Sequence, residues 1–362
     1  MKHPMHLTSI ECHTFRCLAD TGFEPAPGLN VLRGGNAQGK TSVLEAVLFA
    51  TTSKSHRTTV ENDLAAHEAD RFQVRVGAQR RSGPVKIEAN WWRGAKRYKV
   101  NGVPQTRISD VLGHINVVFF CPEDIDLVKG SAASRRRFLD MELSQIRPPY
   151  LAALQQYRQI LRQRNELLRA PHADAALIAP WDAQLARHGQ FLMETRRAFV
   201  ETLSGHASAA YARIAGGEPL ALAYRPDIRE DDAFEAVLQK ALENDIRRGL
   251  THRGPHRDDI EILIAGRPAR TYGSQGQQKT AALALKLAEV ELVRAHAGEY
   301  PVLMLDEVLA ELDAPRAGRL LDTIDDTVQC IMTTTESDDA RQGLFNRPVE
   351  TFTIDSGTIR HA

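Results

Sequence analysis

Short apolar runs and loose alternations divide the chain into elements before any motif is considered. Leu29-Asn30-Val31-Leu32, Ile115 to Phe120 and Pro301 to Leu305 are nearly continuous in apolar residues, as strands buried on both faces are. Leu7 to Phe15, Phe72 to Val76 and Val85 to Ala89 alternate instead, as half-buried strands do. Arg97 to Gly102 ends in Asn-Gly, a hairpin signal, so Phe72 to Val100 is predicted to form an antiparallel sheet. Val43 to Ala50 reads as a helix with an apolar face. Leu151, Leu154, Tyr157, Leu161 and Leu168 sit at helical spacing, and Trp181, Leu185, Leu192, Phe199 and Leu203 mark a second helix. The stretch Pro171 to Pro180 breaks the pattern between them, which predicts an antiparallel helical hairpin, too short for a long coiled-coil arm, whose apolar stripe is core packing. Asp258 to Ile264 and Arg267 to Tyr272 read as two short strands around Ala265-Gly266. A helix is expected from Thr280 to Arg294 and a last core strand from Gln329 to Thr335, ending in hydroxyls.

At 362 residues the chain is long enough for two domains or three, and 43% hydrophobic residues is ordinary for a globular protein with a sizeable core. Lys and Arg balance Asp and Glu, so any nucleic-acid surface must be a local patch. Cys12, Cys17, Cys121 and Cys330 form no C-x-x-C pair, which argues against a zinc ribbon or a dithiol redox motif and fits a reducing cytosol. Met1 to Ile10 lacks the apolar core of a signal peptide, and no run approaches the roughly 18 apolar residues of a membrane span.

The candidate chemistry begins at Gly34-Gly35-Asn36-Ala37-Gln38-Gly39-Lys40-Thr41-Ser42, which fits the phosphate-binding pattern G-x-x-x-x-G-K-[ST] between a strand and a helix. Glycines let backbone N–H groups converge on phosphate oxygens, and the helix N-terminus adds partial positive charge. Lys40 is expected to reach the β- and γ-phosphates of ATP, and Thr41 to ligate Mg²⁺. The polar stretch Lys54 to Thr59 follows closely; Arg57 is either part of a solvated loop or turned towards the nucleotide or a polyanion. Arg135-Arg136-Arg137 reads as a solvated helix face with ion pairs, or as a phosphate-binding patch. His256 beside Asp258 and Asp259 suits ordinary turn contacts better than a metal site.

The acidic end of Pro301 to Glu307 supplies a second half for this site. Ligands bind at the carboxyl ends of buried parallel strands, so Asp306 is placed to hold Mg²⁺ and Glu307 to polarise the attacking water. Most of the chain separates these acids from Lys40, a split core typical of ABC-type ATPases rather than of a simple nucleotide kinase. Ser274-Gln275-Gly276-Gln277 matches the signature that opens a helix before the acidic strand in that class, where it meets the γ-phosphate held by the partner subunit. Glu311-Leu312-Asp313 resembles the loop that crosses such a dimer interface. Transporter-type members carry a histidine after the last strand, and here there is none.

With these pieces the chain resembles the RecF family of bacterial recombination-mediator ATPases, related to Rad50 and SMC proteins. The match runs nearly end to end, through Phe15-Arg16, Leu44-Glu45-Ala46, His56-Arg57-Thr58, Pro122-Glu123-Asp124, Lys129-Gly130-Ser131, Arg135 to Asp140, Gln163-Arg164-Asn165, Trp181-Asp182, Gly254 to Asp259 and Ser274 to Gln278. The arginine run and the Gly-Pro-His-Arg-Asp-Asp stretch single out this family from other ABC-type ATPases. Asp306-Glu307 departs from the two aspartates frequent there, and Ala310 from a frequent serine. The resemblance implies an α/β fold: an ABC-type P-loop ATPase head with an antiparallel β subdomain and an inserted helical lobe bearing the hairpin. The head would span 1–122 and 285–362, the lobe 123–284. It further implies a cytoplasmic protein that binds ATP and Mg²⁺ and closes into a homodimer across two nucleotides. That dimer clamps duplex DNA near single-strand/double-strand junctions, works with RecR and RecO to load recombinase, and is released by slow hydrolysis. Asp313 would couple the two sites, and Arg57, Arg135, Arg136 and Arg137 would contact DNA phosphates without reading bases. Two other readings remain: an ATP-switched scaffold for partner proteins with incidental hydrolysis, and another SMC- or Rad50-like repair ATPase.

Overall fold

The computed structural model describes residues 5–18, 20–215, 217–335 and 348–362, so the first four positions of the N-terminal stretch read above lie outside it. The chain divides into two compact units, one of residues 1–124, 213–216 and 283–362, the other of residues 125–212 and 217–282.

The first unit is built on two sheets. Apolar strands β3 (Leu29–Arg33), β8 (Val117–Phe120), β12 (Val302–Leu305) and β13 (Cys330–Thr334) are joined by the more polar β14 (Val349–Asp355) and β15 (Thr358–His361) in the order β15-β14-β3-β13-β12-β8. All neighbours run parallel except the β14–β15 hairpin. Every residue of β8 and β12 is buried, as continuous apolar runs at the centre of a parallel sheet require. The alternating strands β1 (His6–His13), β2 (Thr21–Phe23), β4 (Arg71–Arg80), β5 (Gly83–Trp92), β6 (Ala95–Val100) and β7 (Val103–Gln105) form an antiparallel sheet in the order β2-β1-β4-β5-β6-β7. Asn101 and Gly102 both take positive φ, 49° and 79°, in the two-residue turn between β6 and β7, which suits the twist of the paired strands. Helix α1 (Lys40–Thr52) lies between the sheets and is buried on nearly every residue. Val43, Val47 and Phe49 share one core with Val74, Ile87 and Trp91 of the antiparallel sheet and Leu32, Met304 and Ile331 of the parallel one. A helix that is apolar all round has its place in such a sandwich.

The second unit is mainly helical. It contains α2 (Asp126–Lys129), α3 (Ala132–Ile146), α4 (Pro148–Leu168), most of α5 (Ala175–Ala215), and α6 (Phe234–Arg248). A small antiparallel sheet, β11-β10-β9, adds β9 (Leu220–Arg225), β10 (Asp259–Ile264) and β11 (Arg267–Pro268). Tyr150 near the start of α4 meets Arg196 far along α5, and Arg164 near its end meets Asp182 near the start of α5, so the two helices form the antiparallel hairpin.

Three details differ from the sequence reading. The break between the hairpin helices is shorter than Pro171 to Pro180, because α5 starts at Ala175 and carries Pro180 within it. Pro180 is the sixth residue of the helix, so α5 forgoes one N–H···O=C bond close to its start and continues beyond it. The seam is also more than an apolar stripe: buried Arg164 bonds Asp182, Asp245 and Thr251, while buried Arg196 bonds Asp140 and Asp258. The second strand after Ala265-Gly266 stops at Pro268, and α7 (Ala269–Tyr272) follows; proline has no N–H with which to extend a ladder. Among the described residues no helix is long and apolar enough to cross a membrane.

Candidate active site

The loop between β3 and α1 is shaped by its neighbours. Gly39 has φ 112°, a conformation open to glycine, and a side chain there would press on Leu18 and Cys17. A Cβ on Gly34 would lie 2.4 Å from the Ile354 carbonyl of β14. Asn36 and Ala37 are exposed, Ala37 with φ 63°. Gln38 ties the loop to the β14–β15 turn, its backbone carbonyl accepting from Gly357 N–H (3.1 Å) and its side-chain oxygen from Ser356 N–H (2.6 Å). Buried Lys40 donates to the carbonyls of Gly34 (2.8 Å) and Gly35 (2.9 Å) and lies 3.5 Å from a Glu307 carboxylate oxygen. Ser42 is buried in the first turn of α1 with its hydroxyl 3.6 Å from the Cys17 thiol.

The acidic strand end is brought to the same place. Thr41 Oγ1 lies 3.0 and 2.8 Å from the two carboxylate oxygens of Asp306, at the end of β12. Thr333, near the end of the neighbouring β13, donates to the same carboxylate at 2.8 Å and accepts from Glu307 N–H at 2.8 Å. Burial pushes the Asp306 carboxyl up from its ordinary value, against the pull of the Thr333 and Thr41 hydroxyls. Glu307 takes a left-handed conformation, φ 51°, uncommon for a side chain of its kind. Thr41 and Asp306 together are hard oxygen donors, the set that suits Mg²⁺ beside phosphate oxygens.

The second unit presents the signature. Ser274 precedes α8 (Gln275–Ala297) and makes a reciprocal cap with Gln277. The serine hydroxyl accepts from Gln277 N–H (3.3 Å), and the glutamine carbonyl accepts from Ser274 N–H (2.7 Å). Gln277 also donates to Glu218 at 2.5 Å. Ser274 itself is exposed, and with its hydroxyl oxygen accepting in the cap, its proton points away from Gln277 N–H.

The expected DNA contacts fare unequally. Arg57 is exposed, in a loop whose backbone is fixed by the Ser55 hydroxyl. Arg135 is buried and grips Asp259 through two hydrogen bonds of 2.6 and 2.9 Å, which withdraws it from the surface role expected of it. A desolvated guanidinium is held where a carboxylate and carbonyls satisfy it, here also those of Gly130 and Leu127. Arg136 is half-buried and donates to the Asp258 carbonyl (2.7 Å), while Arg137 is exposed. Asp313 is exposed and caps α9 (Ala314–Thr323), accepting from Arg316 N–H at 2.9 Å. His256 uses both ring nitrogens, Nε2 with the Thr251 carbonyl (3.0 Å) and Nδ1 with the Tyr157 hydroxyl (2.7 Å), leaving none for a metal.

Buried Glu45 of α1 accepts two hydrogen bonds from Arg16, at 3.0 and 2.9 Å, and one from Ser55. Thr333 is the functional neighbour that motif reasoning passed over. Its signal was its place at the end of an apolar strand expected to end in hydroxyls.

A family model described as RecF/RecN/SMC N terminal domain matches residues 6–360. A DNA replication and repair protein RecF from Pediococcus pentosaceus is 38% identical, with 98% of each chain covered. The solved structure of a recombination mediator protein RecF with ATP, in the RecFOR pathway, superposes with a TM-score of 0.92 at 32% identity, covering 99% of this chain and 98% of that one. An Smc head bound to the C-terminal winged-helix domain of ScpA gives a TM-score of 0.58 at 18% identity, a likeness of fold alone. The P-loop, the acidic strand end and the capped signature helix thus lie in the ABC-type head fold of these proteins, and the chain belongs to the RecF family within the RecF/RecN/SMC group.

Proposed function

We propose that the chain is a DNA-binding ATPase of recombinational repair and replication that works as a cytoplasmic homodimer closed by ATP. The observation that carries the ATPase reading is the meeting of Thr41 with Asp306, two hydrogen bonds that join the phosphate loop to the acidic strand end. In this reading the N–H groups from Gly34 to Ser42 surround the phosphates, Lys40 pairs with the β- and γ-oxygens, and Thr41 and Asp306 hold Mg²⁺. Mg²⁺ supplies charge neutralisation at the transferring phosphoryl group. Glu307 orients the attacking water and takes its proton; its backbone is fixed by Thr333 and its carboxylate stands beside the Lys40 ammonium.

Ser274, with the backbone of Gly276 and Gln277 at the start of α8, offers a capped helix N-terminus to the γ-phosphate held by a second copy. Each ATP then stabilises the dimer by binding both copies, and its hydrolysis weakens the interface. Closed on duplex DNA near a gap, the dimer helps load recombinase. Arg57, Arg136 and Arg137 remain as backbone contacts, and partners of the RecO and RecR kind are expected because the related solved structure belongs to a RecFOR pathway.

Steady-state ATP hydrolysis, measured with and without duplex DNA at two protein concentrations, tests this. DNA stimulation together with specific activity that rises with protein concentration is expected of a shared site. A rate indifferent to both would remove the clamp while leaving the nucleotide site. Glu307→Gln is expected to bind ATP, accumulate as dimer in size-exclusion chromatography, and hydrolyse at least about 100-fold more slowly. If this trapped dimer still supports recombinase loading, turnover is incidental and the scaffold reading holds.

A further inference from the structure

We propose that the solvent face of the antiparallel sheet around Trp92 binds single-stranded DNA, with Trp92 stacking on an unpaired base and Arg71, Arg97 and Lys99 holding the backbone. This rests on the DNA-binding reading above and gives it a surface. Residues 71–100 carry nine Lys or Arg against one Glu, in a chain whose net charge is zero. Sheet register decides where they point. Trp91 is buried and stacked on Phe72, rings 5.5 Å apart and nearly parallel. With a side-chain period of two, that contact fixes Trp92 on the opposite face, where it is 52% exposed. Its cross-strand neighbours are Arg71 on β4 and Ala95 on β6, and the alanine is too small to cover an indole. In the next outward rows Arg97 stands opposite Asn90, and Lys99 opposite Glu88.

The acids on this face are already committed. Arg75 lies 3.1 Å from Glu11 and 3.8 Å from Glu88, and Arg93 lies 3.1 Å from Asp70 with its guanidinium 5.6 Å from the Trp92 ring. Arg71, Arg97 and Lys99 are exposed, and among the described residues none of the three forms an ion pair. An exposed aromatic ring on a rigid strand, flanked by cations without partners, is the arrangement that holds a single strand: the ring takes a base and the cations follow the phosphates. A duplex keeps its bases stacked inside and gives the ring nothing to take.

The test is fluorescence anisotropy with the full chain, ATP and Mg²⁺, using labelled oligothymidylate of about 20 nucleotides and a duplex of the same length. Trp92→Ala is expected to weaken oligothymidylate binding about tenfold, in the range of one base–aromatic stack, and to leave duplex binding within about twofold. Trp92→Phe is expected to keep the affinity but to lose the tryptophan quenching that oligothymidylate causes in the parent protein. Arg97→Glu with Lys99→Glu should weaken binding and flatten its salt dependence. An unchanged oligothymidylate affinity in Trp92→Ala, or an equal loss on both DNAs, would overturn the proposal while leaving the clamp standing. A parent protein that binds neither DNA would overturn both.

Discussion

At the scale of single residues, the site is organised by hydrogen bonds that converge on Asp306. Its carboxylate is desolvated, and Thr41 and Thr333 repay part of that cost with O–H donors. Thr333 also accepts the Glu307 N–H, so one hydroxyl positions both acids. Replacing it by valine keeps the shape but leaves a buried carboxylate and a backbone N–H short of a partner. Thr333→Val is therefore expected to lose about 1–3 kcal/mol in urea unfolding and to lower ATP turnover, while Thr333→Ser keeps both near the parent values. A valine variant that keeps both while the serine variant loses them would show that the methyl group, not the hydroxyl, matters. Arg135 teaches the converse. Of the three neighbouring arginines it is the one buried against Asp259, so its substitution would test folding rather than DNA binding.

At the scale of elements, the start of α8 serves two ends. The Ser274–Gln277 cap satisfies orphan N–H groups of the helix, and in the proposed dimer the same turn is offered to the γ-phosphate. The capping role and the proposed phosphate role separate under substitution, because aspartate caps helices as well as serine does but repels phosphate. Ser274→Ala is expected to cost about 1 kcal/mol of stability. Ser274→Asp should melt with the parent protein yet lose ATP-driven dimerisation, read by light scattering. A Ser274→Asp variant that still dimerises would take this turn out of the nucleotide interface. The hairpin of α4 and α5 shows another limit of pattern reading. Its heptad-spaced leucines are visible, but Arg164 and Arg196 are buried at the same seam because Asp182, Asp245, Asp140 and Asp258 surround them.

At the scale of the whole molecule, each unit holds a histidine that folding keeps neutral. Burial pushes His56 in the first unit and His256 in the second down to about 4, from 6.5 for a free imidazole. The Thr251 carbonyl can only accept, so His256 carries its proton on Nε2 and accepts from the Tyr157 hydroxyl at Nδ1. Protonating Nδ1 would reverse that second bond, the Tyr157 oxygen then accepting, and would place a cation where burial opposes one. Between pH 4 and 6.5 the unfolded chain binds protons that the folded chain refuses, so this stability is fully present above 6.5 and is lost as pH falls towards 4. The shift at His256 corresponds to at most about 3 kcal/mol. His256→Gln is expected to lower stability at pH 7 and to flatten the pH dependence of the urea midpoint over that window. An unaltered slope would assign the acid lability elsewhere.

The phosphate loop, the hairpin turn and the strand types were legible because each depends on residues a few positions apart. A glycine turn or an Asn-Gly hairpin carries its reason within one turn of chain, and apolar runs report burial through a period of two or 3.6. The sequence by itself thus determined a split P-loop head, an antiparallel sheet and a helical hairpin, and through its motifs the RecF family. Only the tertiary structure decided which groups meet. Thr41 reaches Asp306 across a separation of 265 residues, Arg135 reaches Asp259 across 124, and Trp92 faces outward because Trp91 is stacked on Phe72. These outcomes turn on partners that arrive from distant strands and helices. A charged or aromatic side chain then goes to the core or the surface according to whether such a partner can satisfy it, and no local pattern carries that information.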